Sequence, residues 1–245
     1  MKRLGAFVLC ISVTTATAVS ADIAGRIVIA DDLYLVELSP IVWMHVSTVD
    51  IPPWGPVPAN GLVYAAGEAA VIIDTPWNDR QTRELVEWLD KERGLRTEAV
   101  IVGHHHDDNM GGLGWIHGEG IPSYAIRETR DICRETGLPV PSRAVEHREI
   151  LHFSGRPVEV FFPGESHTPD SIAVYLPDEK ILFGGCSVRA LEYRGPGNTA
   201  EANLTEWPRS MERLREAFPD ARIVVPGHGE PGNLRLIDHT ISLLQ

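Results

Sequence analysis

Residues 102–112 read VGHHHDDNMGG, which places three histidines and two aspartates in five consecutive positions between an apolar run and a glycine pair. The preceding TEAVIVG has the length and composition of a buried strand, so the polar cluster falls at that strand's C-terminal end. In layered α/β folds, loops at such strand ends are where ligand sites assemble. Zinc takes imidazole, thiolate and carboxylate ligands. In an extended segment alternate side chains point the same way, so His104, His106 and Asp108 can converge on one ion while His105 and Asp107 serve as spacers. The pair Gly111-Gly112 lets a helix begin close behind. A merely solvated polar loop would need neither the strand nor the glycines.

Three later stretches carry further metal-type residues. GESHTPDS places His167 in a turn after an apolar strand, FGGCSVR places Cys186 behind two glycines at the end of another, and VVPGHGEPG places His228 between glycines after a third. A lone histidine is more often a core or surface residue than a ligand. A set of such residues, each at a glycine-flanked strand end, is hard to explain that way.

The surrounding pattern gives the fold class. Residues 33–49 and 61–74 are rich in strand formers and broken by Ser-Pro and Gly-Glu, so each reads as strands joined by a turn. Between them DIPPWGPVPAN reads as a long hairpin loop presenting Trp54, which either covers a ligand as an apolar flap or staples its own loop shut. Asn78 is the expected cap of a helix with Leu85, Val86 and Leu89 on one face, ended by Gly94. A short helix over 110–118 and another over 126–136 follow, then a proline-rich link. The second half repeats the plan, with strands at PVEVFF, SIAVYL and KILFGG, a helix from Thr205, the strand RIVVP and a last helix after Asn233. Strands grouped and then followed by helices in both halves predict an α/β protein of two packed sheets with helices outside.

The chain has 245 residues, 43% hydrophobic and 23% charged, enough for one large core or two small ones. Residues 1–20 read as a secretory signal: Lys2 and Arg3, an apolar stretch, then small residues, with cleavage near Ser20 or Ala21. Leu9 before Cys10 speaks against a lipid anchor. Residues 21–245 are then expected to form a single exported, periplasmic domain, a monomer. No later run reaches the ~20 apolar residues of a membrane span. Cleavage after Ser20 would remove two of the 22 basic residues and none of the 34 acidic ones, deepening the net charge from −12 to −14. Such an acidic body argues against nucleic-acid and anionic-membrane partners. Cys133 and Cys186 would remain, and export makes a disulfide between them the default, in competition with a metal role for Cys186.

HHHDDNMGG, GESHTPDS, GGCSVR and VVPGHGEPG stand in the order and approximate spacing of the class B metallo-β-lactamases, and the chain resembles their first subclass across essentially all of its mature length. Within it, GNTAEANLTEWPRSMERLREAFPDARIVVPGHGEPG looks most like the VIM-type enzymes. The resemblance implies an αββα sandwich with two zinc ions at the edge between its halves. It implies His104, His106 and His167 as ligands of the first zinc and Asp108, Cys186 and His228 as ligands of the second. Asp74, ending the strand VIID, resembles the aspartate that braces the metal loops, although a helix-capping role reads as well. The family commonly has arginine after the ligating aspartate; here Asn109 puts a neutral amide under the second site.

The implied activity is zinc-dependent opening of the β-lactam ring of penicillins, cephalosporins and carbapenems by a zinc-bound hydroxide, which confers antibiotic resistance. In that reading Asp108 orients the hydroxide, the Asn198 amide helps stabilise the oxyanion, Arg189 pairs with the substrate carboxylate, and Trp54 closes over the substrate. Two other readings remain. Glyoxalase-type thioesterases and lactonases also use H-x-H-x-D, but usually have histidine after the aspartate and a bridging aspartate where this chain has Cys186. A non-enzymatic exported zinc-binding protein would not need an open site with an arginine and a flap.

Overall fold

Period-two burial along the central strands builds the molecule. In the strand Ala69–Ile73, Val71 and Ile73 face one apolar layer and Ala70 and Ile72 the other; in Arg96–Ile101, Ala99 and Ile101 face the first and Val100 the second. Such strands are buried on both faces, so two sheets and two outer helical layers must cover them. The computed structural model describes residues 25–245. The proposed signal segment, with Lys2, Arg3 and Cys10, lies outside the described residues.

The first sheet contains β1 (Arg26–Ala30), β2 (Leu33–Ser39), β3 (Val42–Ile51), β4 (Gly55–Ala66), β5 (Ala69–Ile73), β6 (Arg96–Ile101), β7 (Ser123–Ile126) and β8 (Arg143–Val145), in that spatial order. It is antiparallel as far as β5 and parallel from β5 to β8. Helices α1 (Asp79–Arg93), α2 (Asp107–Met110), α3 (Leu113–Gly118) and α4 (Arg127–Thr136) fill the crossovers. The second sheet contains β9 (Arg148–Phe153), β10 (Arg156–Phe161), β11 (Ala173–Leu176), β12 (Ile181–Gly185) and β13 (Ile223–Pro226), with α5 (Trp207–Ala217) and α6 (Arg235–Leu243) on its outer face. Only β12 and β13 run parallel there.

The middle layer joins Val42, Met44, Leu62, Tyr64 and Ile101 of the first sheet to Val158, Val174, Leu176, Phe183 and Val225 of the second. Outside the first sheet, Leu85, Leu89, Leu113, Ile116 and Cys133 form a second layer; outside the other, Trp207, Met211, Leu214 and Ile237 form a third. Burying each large aliphatic or aromatic side chain is worth roughly 1.5–3 kcal/mol. The result is the αββα sandwich that the family resemblance implies.

Several local readings hold. Asn78 caps α1, its side-chain oxygen accepting the Gln81 N–H at 3.0 Å, and Gly94 ends it in the left-handed region at φ 64°. Others need correction. DIPPWGPVPAN is not a long loop: β3 and β4 pair out to Ile51 and Gly55, leaving a tight turn at 52–54. Pro56 and Pro58 are tolerated because they alternate along a strand that at that end pairs only with β3, where every second N–H is free of the ladder. Strands β1, β7, β8 and β9 were not expected. They are short or half-exposed and lack a long apolar run. The single helix expected over 110–118 is two short ones, α2 and α3.

The default disulfide is absent. Cys133 is buried on α4 with its Sγ 3.7 Å from Met110 Sδ, and Cys186 lies at the end of β12; both are free. Geometry decides here: Cys133 packs in the layer outside the first sheet, whereas Cys186 lies against Asp108 and His228.

Glycine is required between α2 and α3. A Cβ on Gly111 would collide with the Trp77 carbonyl, a backbone atom that cannot step aside. Gly111→Ala should therefore cost about 1–3 kcal/mol of stability, read as a lowered urea midpoint; an unchanged midpoint would show that the Trp77 segment yields freely.

Candidate metal centre

The histidine stretch is positioned by Gly103, the residue after Val102 at the end of β6. Asp74, buried at the end of β5 with φ 60°, accepts the Gly103 N–H through Oδ1 at 2.5 Å. The Gly103 carbonyl in turn accepts the Ile172 N–H at 2.9 Å, from the segment that carries His167 in the other half. A side chain at 103 has no room: a Cβ would lie 2.9 Å from both Asp74 carboxylate oxygens and 3.1 Å from Asn109 Oδ1. Asp74 thus braces the loop and does not cap a helix; Asn78 does that.

Beyond β6 the chain bends at residues 103–106 instead of running on as a strand. His106 is the N-cap of α2, and Asp108 and Asn109 lie within that helix. The alternation that would have turned His105 and Asp107 away from the site therefore fails, because the backbone changes from a two-residue to a 3.6-residue period inside the motif. His105, His106, Asp107 and Asp108 all line the same cleft.

Four loops converge there. The His104 ring lies edge-on to those of His106 and His167, with centroids 4.6 and 5.2 Å away, and His106 and His167 are 5.3 Å apart. Beside them, Asp108 Oδ2 is 3.0 Å from His228 Nε2 and 3.3 Å from Cys186 Sγ, which is 3.5 Å from His228 Nε2. Judged by ligand atoms within 4.8 Å of one another, Asp108, Cys186 and His228 form one candidate set. The histidines are shared between two others, His104 with His106 and Asp108, and His104 with His167 and Cys186. The six residues are thus one continuous cluster rather than two separated triads.

The donors fit a cation. His104 Nε2 and Asp108 Oδ1 are buried with no hydrogen-bond partner, an expensive state for polar atoms. Burial depresses His104 to about 3 and His167 to about 4, so both are neutral and hold a lone pair for a metal. Burial, with Asp108 and Asp74 close by, pushes the Cys186 thiol well above its ordinary value; a thiolate there requires a positive charge among these donors. Burial would raise Asp108 as well, but the His228 hydrogen bond and the neighbouring imidazoles hold it below the usual range. Burial would lower His228, but both its ring nitrogens face acceptors, Nδ1 the Pro58 carbonyl at 2.6 Å and Nε2 the Asp108 carboxylate, and these raise its pKa; a metal bound at Nε2 would take the place of the proton there. Asn109 is buried beneath Asp108 with both amide atoms unpartnered.

The donors open onto a cleft of about 990 Å³. Trp54 stands on its wall, 77% exposed at the tip of the β3–β4 hairpin, so it does not staple its own loop. Arg189 lines the cleft half-buried. Its guanidinium stacks 4.2 Å from the Tyr193 ring, and among the described residues no carboxylate pairs with it. Asn198 lines the cleft too, with its side-chain oxygen accepting the Ala200 N–H at 3.1 Å. Tyr193, Asp170 and Glu201 also belong here and were missed. Asp170 accepts hydrogen bonds from His105, and Glu201 reaches His105 and His106. Nothing in their spacing marks them; only the D in GESHTPDS, beside a suspected ligand, offered a signal.

Residues 54–228 match the family described as the Metallo-beta-lactamase superfamily. The chain is 38% identical over 216 residues to "Metallo-beta-lactamase type 2" of Bacteroides fragilis, covering 88% of this chain and 87% of that one. To the protein of the same name from Pseudomonas aeruginosa it is 35% identical over 244 residues, covering 98% and 92%. Among solved structures, the metallo-beta-lactamase from Pontibacter korlensis superposes with a TM-score of 0.84 at 37% identity, covering 87% of this chain and 99% of that one. Fold, extent of match and a donor cluster at the sheet edge agree: the chain belongs to the metallo-β-lactamase family.

Proposed function

We propose that the protein is an exported, monomeric, periplasmic enzyme that hydrolyses the amide bond of β-lactam antibiotics, carbapenems included, and works with two zinc ions. The observation that carries this reading is a six-residue donor cluster, with His104 Nε2 and Asp108 Oδ1 buried and partnerless, that opens onto the same cleft as an unpaired Arg189. His104, His106 and His167 would hold the first zinc, and Asp108, Cys186 and His228 the second. When bound, such a pair lowers the pKa of water to about 7 and polarises a carbonyl.

The chain's own residues supply the rest. Arg189, preorganised by stacking on Tyr193, takes the carboxylate common to these antibiotics. Asp108 offers Oδ1 to orient the attacking water, its other oxygen being occupied by His228 and Cys186. Asn198 donates its amide N–H to the carbonyl oxygen as charge develops. Trp54 covers the apolar part of the substrate and keeps bulk water off. The brace between Asp74 and Gly103 keeps the histidines in register, and Asn109 packs beneath Asp108 without adding charge. Cys186 favours a β-lactamase over a thioesterase or lactonase of the same fold. The cleft, with its arginine and exposed tryptophan, favours an enzyme over a zinc-binding protein without activity.

Purified protein should carry close to two zinc ions, lose nitrocefin hydrolysis on chelation and regain it with zinc. Full activity in metal-free protein would end this reading. Cys186→Ser should weaken the more weakly held zinc far more than the other, measured by competition with a chromophoric chelator; equal weakening would remove Cys186 from the second set. A carboxylate held by a guanidinium is worth ~1.5–3 kcal/mol, so Arg189→Ala should raise KM for penicillins roughly tenfold or more and lower kcat less. If the variant loses as much on a carboxylate-esterified lactam as on the free acid, Arg189 is not the anchor and Arg194, on the same loop, is the next to test.

A further inference from the structure

His105 and Glu201 are left over from this machinery, and their arrangement is that of a prepared metal ligand pair. Asp170 is fully buried and holds His105 twice: Oδ2 accepts the backbone N–H at 3.0 Å, and Oδ1 lies 3.0 Å from Nδ1. A carboxylate on one ring nitrogen fixes the tautomer, as it does for metal-bound histidines, and leaves the other nitrogen as a donor. That other nitrogen, Nε2, faces the cleft 3.0 Å from Glu201 Oε2. Each ring nitrogen of His105 thus faces a carboxylate oxygen at 3.0 Å, a setting that favours a positive charge at Nε2, carried either by a proton or by a metal ion that displaces it. The same Glu201 oxygen lies 3.1 Å from His106 Nε2, and the ligand atoms of His105, His106 and Glu201 fall within 4.8 Å of one another.

We propose that His105 Nε2 and the Glu201 carboxylate form a third divalent-cation site at the rim of the cleft, filled by zinc in excess of the tightly held ions. The inference leans on the dizinc reading only in assigning His106 to the tight set. That leaves the rim ion two protein ligands, with solvent completing its coordination, and makes it the weaker site. Glu201 follows Asn198 by three residues on the same loop, so an ion here ties that loop to the base of the histidine stretch and stands in the path of substrate.

Zinc uptake by equilibrium dialysis, wild type against Glu201→Gln at low and at high free zinc, tests this. Glu201 is half-exposed, so the variant should fold, and circular dichroism checks that it does. At high free zinc the wild type should hold about one more ion per chain than Glu201→Gln, while at low free zinc the two proteins should hold the same number. The difference between the proteins tests the rim site; the number held at low free zinc tests the dizinc reading separately. Equal uptake at high free zinc overturns the rim site.

Discussion

Gly103 is where the two halves of the sandwich are locked. Its N–H goes to the Asp74 carboxylate at the end of β5 and its carbonyl to the Ile172 N–H in the other half. The stretch from His104 to Asp108 starts from this point, and the buried hydrogen bonds at Gly103 are joined by those from the His105 N–H to Asp170 and from the Thr75 N–H to the Asn109 carbonyl. The absence of a Cβ lets Asp74 and Asn109 crowd the same side of the chain. A second tie lies across the cleft, where Asn60 of β4 donates to the carbonyls of Pro226 and Gly229 on either side of His228.

Partnerless buried polar atoms occur in several parts of the fold, Trp43 and Tyr64 in the apolar layers among them, but at the sheet edge Asp74, His104, Asp108 and Asn109 carry them side by side at the donor cluster. Left alone, each such atom costs of the order of 1–3 kcal/mol. The surrounding core offsets that cost, and a cation among the donors would remove part of it. The donors themselves sit at the ends of β6, β12 and β13 and in the turn after β10.

The donor types were legible because chemistry limits them: few residues ligate metals, and glycines beside strand ends mark where backbones must pass closely. Gly227 shows this, since a Cβ there would meet Cys186 Sγ. The fold class was legible because Val71 and Ile72, or Val100 and Ile101, alternate between two layers that must both be apolar. Less legible were the edge strands. Residues 148–152 alternate between exposed and half-buried and only Phe153 is buried, so their pairing with β10 rather than their composition makes them a strand.

The sequence by itself determined the inventory: six metal-type residues at strand ends, a capped α1, and two packed sheets with helices outside, from the grouping of strands and helices along the chain. The tertiary structure alone decided how these residues face one another. Bends at residues 103–106 bring His105 to the cleft, and contacts between distant segments give it Asp170 on one side and Glu201 on the other. Spacing along a chain fixes side-chain direction only while the backbone keeps one period. Where the period changes, direction is set by whatever packs against the turn, and that information lies in residues 65 and more positions away.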